Sequence, residues 1–257
     1  MQTYPLKNKL QHYIRLRGDS TGKTVVFGWS GFVYAFLPDQ PPQRIFGFQG
    51  FNVGRMQPEG EDTLLLTREA AFYLHPQTGK ILQNWHNPFN GRTVSVIHVW
   101  NDPVNQLHSP AFNMPITDLG ESLCWHADIL LHYPSPLPRA QYPQNSASDT
   151  YQGGEFFQFY VRREHLENPA LTSLPCELGW TRFSQWLPWM QMGNTPGNLL
   201  FQCRGYKLPN GFTDLPQPIR DYVQSHNPQF QHPPEHDSED NETSWTYYRK
   251  LYPPADE

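Results

Sequence analysis

The 257-residue chain predicts a mainly β protein: an antiparallel meander closing into a barrel or half-barrel of calycin-like form, with two or three short helices. Runs rich in aromatic and β-branched residues recur along the first two thirds of the chain. The turns between them are too short for a crossover helix, so neighbouring strands must pair antiparallel. Composition agrees, since 14% of residues are aromatic, only 17% are charged and 26 are proline, as expected for many short strands joined by tight turns. No repeat or linker divides residues 1–257, which read as a single domain.

The first pair of strands is Val25–Leu37 and Arg44–Phe51, separated by Pro38-Asp-Gln-Pro-Pro42, a segment that no central strand accepts. Four more follow at Asp62–Thr67, Ala70–His75, Lys80–His86 and Thr93–Trp100, with turn chemistry at Pro76-Gln-Thr-Gly79 and Asn87-Pro-Phe-Asn-Gly91. Beyond a polar loop come Leu123–Tyr133, Glu155–Arg162 and Asn198–Tyr206. About nine strands in a meander give a sheet long enough to curl, and a barrel of about eight to ten strands has room for one small ligand. A helix is expected within Leu215–His226. A second, capped by Ser244, places Trp245, Tyr248 and Tyr252 on one face and docks back on the sheet. Between them, residues 232–242 (HPPEHDSEDNE) read as a mobile acidic loop.

A net charge of −5 without a Lys/Arg stripe argues against a nucleic-acid surface. No apolar run reaches the roughly 18 residues of a membrane span, and the N-terminus lacks the apolar core of a secretory signal. The expectation is a soluble, cytoplasmic protein, with a homodimer compatible with the sequence. Cys124, Cys176 and Cys203 are far apart and read as buried free thiols. No metal-site, Walker, G-x-G-x-x-G or nucleophile-elbow pattern is present, so no cofactor or metal is expected.

The segment Phe183–Leu208 concentrates Trp186, Trp189, Met190 and Met192 on a Pro/Gly-interrupted stretch, as a lid over the open end of the core or over a ligand would. With Trp29, Tyr34, Phe48 and Asn101, the residues Trp186, Trp189 and Met190 are the candidate ligand-binding set; Trp29 and Tyr34 fall on opposite strand faces, so only one of them looks inward. His98 alternates with Val94, Val96 and Trp100, a setting for a proton donor or acceptor, with Asn101 and Asp102 placed to orient its ring. A core histidine bonded to a carbonyl is the competing account. Glu155, on a face with Phe157 and Phe159, and Tyr160 complete the candidate catalytic set of His98, Asp102, Glu155 and Tyr160. His126, Asp128 and His132 share the polar face of their strand, towards either lumen or solvent.

The blocks WSGFVYA (from Trp29), IFGFQGFNVGR (from Ile45), the TGK, W-x-N-P and VIHVWNDP elements of Thr78–Pro103, and Phe183–Leu208 together resemble a bacterial family of cyanobacteria and proteobacteria, domain of unknown function eighteen thirty-eight. The resemblance implies one domain over nearly the whole chain and brings no activity. The leading expectation is a pocket for a small hydrophobic molecule, aromatic or isoprenoid-like. The alternatives are a cofactor-independent lyase or isomerase centred on His98, and a protein-interaction module presenting exposed tryptophans.

Overall fold

The computed structural model describes residues 4–237 and 240–254. Helix α1 (Lys9–Arg17) precedes a long hairpin, β1 (Val25–Phe36) and β2 (Gln43–Glu59), followed by β3 (Asp62–Leu74). Short strands β4 (Asn84–His86), β5 (Thr93–Ser95), β6 (Val99–Asn101), β7 (Gln106–His108) and β8 (Ile116–Asp118) lead to β9 (Ser122–Pro134) and β10 (Thr150–Arg162). Helix α2 (Arg163–Glu167), β11 (Glu177–Ser184), β12 (Asn198–Lys207), α3 (Gln217–His226) and α4 (Ser244–Leu251) complete the order. One antiparallel sheet runs β6-β3-β2-β1-β12-β11-β10-β9-β8, with β7 also on β3, while β4 and β5 form a separate ribbon.

The fold is mainly β and antiparallel, but among the described residues the sheet is not a closed barrel. Its terminal strands, β6 and β8, have three residues each and do not pair with one another. The sheet is nonetheless strongly curved. Phe48 on β2 and Trp180 on β11 are three strand spacings apart, about 14 Å along a flat sheet, yet their ring centroids lie 6.0 Å apart. Most of the core fills this concave face. The convex side of β1–β3 is covered by α3, whose Ile219 and Val223 pack with Phe51, Phe72 and Trp100.

Several local expectations are corrected. Among the described residues there are four α-helices, not two or three. Helix α1 lies in the segment read only for its lack of a signal core; its Tyr13 and Leu16 are buried at i, i+3, and Lys207 donates to Arg15 O and Gly18 O at its C-terminus (2.8 and 2.9 Å). The two runs between Asp62 and His75 are one strand, β3. The run Thr93–Trp100 is two strands, interrupted at residues 96–98 where Val96 N bonds Gln83 O (2.9 Å). Thr243, not Ser244, caps α4: its Oγ1 accepts from Thr246 N, and Thr246 Oγ1 accepts from Thr243 N. In the acidic segment, Ser238 and Glu239 lie outside the described residues. Of its other residues, His232 O accepts from Arg68 of β3 (2.9 Å), Glu235 O accepts from Arg55 of β2 (2.6 Å), and Glu242 N donates to Pro103 O (2.9 Å).

Candidate functional site

Strand alternation places a band of polar side chains on the concave face. On β10 the inward positions are Tyr151, Gly153, Glu155, Phe157 and Phe159, and the register sets Glu155 opposite Arg182 of β11. Across the other arm, Asn52, Glu69 and Asn101 form one row over β2, β3 and β6. Curvature turns the two rows towards each other. Arg182 Nη1 lies 3.1 Å from Glu155 Oε1, and its Nη2 donates to Tyr151 Oη at 2.9 Å. Trp180 Nε1 donates to the second Glu155 oxygen (3.2 Å). Asn101 Nδ2 donates to Glu69 Oε1 at 3.4 Å, and Arg17 Nη2 from α1 donates to Asn52 Oδ1 at 2.6 Å.

The electrostatics bind these groups into one cluster. Burial and the neighbouring Glu155 carboxylate push Glu69 up to about 7, against the opposing pull of Arg182, Arg17 and Asn101. Burial raises the Tyr73 phenol. Burial opposes the charge of Arg182, but Tyr151 and Glu155 more than compensate and hold it above its ordinary value. Three buried polar atoms of the cluster, Arg182 Nε, Arg17 Nη1 and Asn101 Oδ1, have no hydrogen-bond partner among the described residues. His98 Nε2 and Trp125 Nε1 share this state elsewhere in the fold.

The cluster borders accessible space. Arg182 and Glu155 keep 16% and 20% of their side-chain surface although they face inward. Beside them, inward-facing Ala127, Leu131, Tyr133 and Phe157 are only half-buried, and Ile129 is 37% exposed. The concave face is thus partly open along β9 and β10, beside the packed rings of Phe48, Phe157 and Trp180, with Trp29 6.2 Å from Trp180. Trp29 lies where Gly50 and Gly205 leave room; a Cβ at Gly50 would come within 2.8 Å of its ring and within 2.6 Å of Ala71. Helix α4 packs on β6 and sets Trp245 against Tyr151 (4.6 Å) and over Arg182 (5.7 Å).

The family model described as "Protein of unknown function (DUF1838)" matches residues 22–252. The chain belongs to this family. No curated protein matches it in sequence. Residues 22–252 include every strand and the cluster except Arg17, which stands on α1 ahead of the matched region.

The structure brings some of the expected residues together and separates others. Trp29, Phe48, Asn101 and Glu155 share the concave face. Trp189, on a 3-10 turn (Pro188–Met190), closes one end of it against Phe46 (5.7 Å), Tyr73 (5.2 Å) and Trp85 (6.0 Å). Trp186 is fixed by Phe89 and by donation to Thr195 O (2.9 Å), while Met190 O accepts from Asn87 Nδ2 (2.8 Å). Tyr34 and Tyr160 stand on the convex face. Tyr160 borders a trough of about 320 Å³ with Gln158, Gly179, Thr181, Gln202 and Arg204, on the far side of the sheet from the cluster. Asp102 pairs with Arg68 (2.7 Å). Asp128 and His132 are exposed, and His126 is hydrogen-bonded to Thr117.

His98 is buried on the α3 side, against Phe72, Tyr73 and Tyr222. The pairing of β3 with β6 ends at Ala71–Val99, and the next inward-strand donor, Tyr73 N, is met by His98 Nδ1 at 3.2 Å. The ring thus replaces a missing strand partner. Burial lowers its pKa to about 4, so it is a neutral imidazole with its proton on Nε2. The sequence reading missed Glu69, Arg182, Tyr73, Tyr151, Asn52 and Arg17. The available signal for Glu69 was its alternation with Leu65, Ala71 and Tyr73 on one continuous strand, and for Arg182 its alternation with Leu178 and Trp180.

Proposed function

We propose that the open stretch of the concave face along β9 and β10 is a cleft that binds a small molecule with an apolar, ring-containing or isoprenoid body and one polar group. The body lies against Phe48, Phe157 and Trp180, and the polar group meets Glu155 and Arg182. The observation that carries this reading is the Glu155–Arg182 pair, half-covered in an aromatic cleft and next to unmet polar atoms. A buried ion pair is a poor device for stability alone, because apolar residues of similar volume do as well or better. An apolar wall with a few convergent polar groups is the usual composition of a small-molecule site.

The alternatives have less support. His98 stands on the α3 side of the sheet, enclosed by Phe72, Tyr73 and Tyr222 and away from the Glu155–Arg182 pair. An interaction module would need exposed tryptophans, whereas Trp29, Trp180, Trp186, Trp189 and Trp245 are all buried. Native mass spectrometry of the protein as isolated, followed by titration with a polarity-sensitive naphthyl ketone dye, tests the proposal. Phe157→Ala is expected to weaken dye binding about tenfold through lost ring contact, and Tyr160→Ala to leave it unchanged. The reverse ranking would move the site to the convex trough.

A further inference from the structure

We infer that Glu69 is a proton-transfer residue of this cleft and that the cleft acts on carbon acids, ring-containing molecules with a C–H next to a carbonyl whose oxygen is held by Arg182. The inference rests on the proposed ligand cleft and adds a reaction to it.

The argument starts from the unlike positions of the two carboxylates. Both oxygens of Glu155 are engaged, one by Arg182 and one by Trp180. Glu69 has a single long bond from Asn101 at 3.4 Å, and the nearest cations from other elements, Arg17 on α1 and Arg182 on β11, act on it without forming a salt bridge among the described residues. Glu155 on β10 faces it with like charge, and Tyr73 on its own strand adds a neutral phenol. Glu155 is therefore the fixed counter-ion of Arg182, and Glu69 is the carboxyl that remains free to gain and lose a proton. A group titrating near neutrality, pushed to about 7 as Glu69 is, is well matched to general acid–base work. Arg182 supplies the second requirement, a preorganised cation whose side chain keeps 16% of its surface open where negative charge would grow. The aromatic walls supply the third, an apolar berth for the carbon skeleton.

The step is balanced without a co-reactant. The Glu69 carboxylate takes the proton from the carbon next to the carbonyl. The C–H electron pair becomes the enolate double bond, and the carbonyl π pair moves to the oxygen facing Arg182. The protonated Glu69 then returns the proton to the same carbon, giving exchange, or to a carbon two positions further in an unsaturated ketone, giving isomerisation.

The test uses 2-tetralone, an aromatic ketone with acidic C–H bonds beside its carbonyl, in deuterated buffer with the full-length protein. One NMR sample reads both binding, by saturation transfer, and C–H exchange. The wild type is expected to bind the ketone and accelerate exchange, with a rate that rises with pH and levels off above about 7 as Glu69 ionises. Glu69→Gln should keep saturation transfer and lose about 100-fold of the enzymatic exchange rate, and Glu69→Asp should recover part of it. Binding without exchange, or exchange that survives in a folded Glu69→Gln protein, overturns the acid–base assignment and leaves the ligand cleft standing. Absence of saturation transfer with the wild type overturns both.

Discussion

His98, buried beside β3, and Glu69, half-buried on β3, are both titratable groups shielded from water, and their surroundings differ in the way that separates scaffold from site. His98 spends its acceptor nitrogen on a backbone N–H that the end of β6 leaves unpaired. Its burial is structural and its ring is packed on three sides by aromatics. Glu69 has one weak partner, shares its field with another carboxylate and two guanidiniums, and borders polar atoms that no described residue satisfies. Loss of water contact is common to the two. The distinguishing feature is the surroundings: aromatic rings around His98, whose Nε2 has no hydrogen-bond partner among the described residues, and charged groups around Glu69.

The largest expected effect lies on the concave side. Arg182→Met strips Glu155 of its counter-ion and Tyr151 of its donor, and removing one member of a buried pair typically costs about 3–5 kcal/mol. Urea denaturation should show a loss of that order. Adding Glu155→Leu to Arg182→Met should restore much of it, because the uncompensated charge is then gone. A double variant no more stable than the single one would mean that Arg182 matters through packing on Trp245 instead of through the ion pair.

Much of the fold was legible because alternation and turn chemistry are local. Gly79 and Gly91, both at positive φ, end the turns where the Pro/Asn/Gly signals put them. The long strands β1, β9 and β12 follow their aromatic and β-branched runs closely, whereas β10 begins at Thr150, ahead of its run at Glu155. Closure was not legible, because it depends on whether the last strands at each edge are long enough to pair; here they have three residues each, and α4 packs on one of them instead. The site was half legible for a related reason. Glu155 stands out in an aromatic run, whereas Arg68-Glu69 looked like a break between two strands, and Glu177–Ser184, with few β-branched residues, did not register as a strand. The meeting of Glu69 with Glu155 and Arg182 is a product of sheet curvature, which no local pattern encodes.

The same contrast predicts opposite pH dependences. The folded state holds His98 near 4 against an ordinary 6.5, so between those values the unfolded chain binds more protons and stability rises with pH. The folded state holds Glu69 near 7 against an ordinary 4.5, so between those values the folded protein binds more protons and stability falls as pH rises. From about pH 4.5 to 6.5 the two contributions oppose each other. Relative to wild type, His98→Gln should therefore lose stability with rising pH across this window, and Glu69→Gln should gain it, each by at most about 3 kcal/mol. Parallel denaturant midpoints for both variants would show that the two groups are not shifted in opposite senses.

The smallest effect sharpens the scaffold side of the comparison at fixed pH. His98→Leu at neutral pH keeps the apolar packing against Phe72, Tyr73 and Tyr222 but removes the acceptor for Tyr73 N, and a buried donor left unpaired costs about 1–3 kcal/mol. His98→Gln offers a side-chain carbonyl in a similar place, so it should recover part of that loss. Neither substitution touches the Glu155–Arg182 pair, and binding of the naphthyl ketone dye should stay within about twofold of wild type, or about 0.4 kcal/mol. A much larger loss of dye affinity in the folded His98→Leu protein would place the imidazole inside the functional cleft, and the division between a structural histidine and a functional carboxylate would then be wrong.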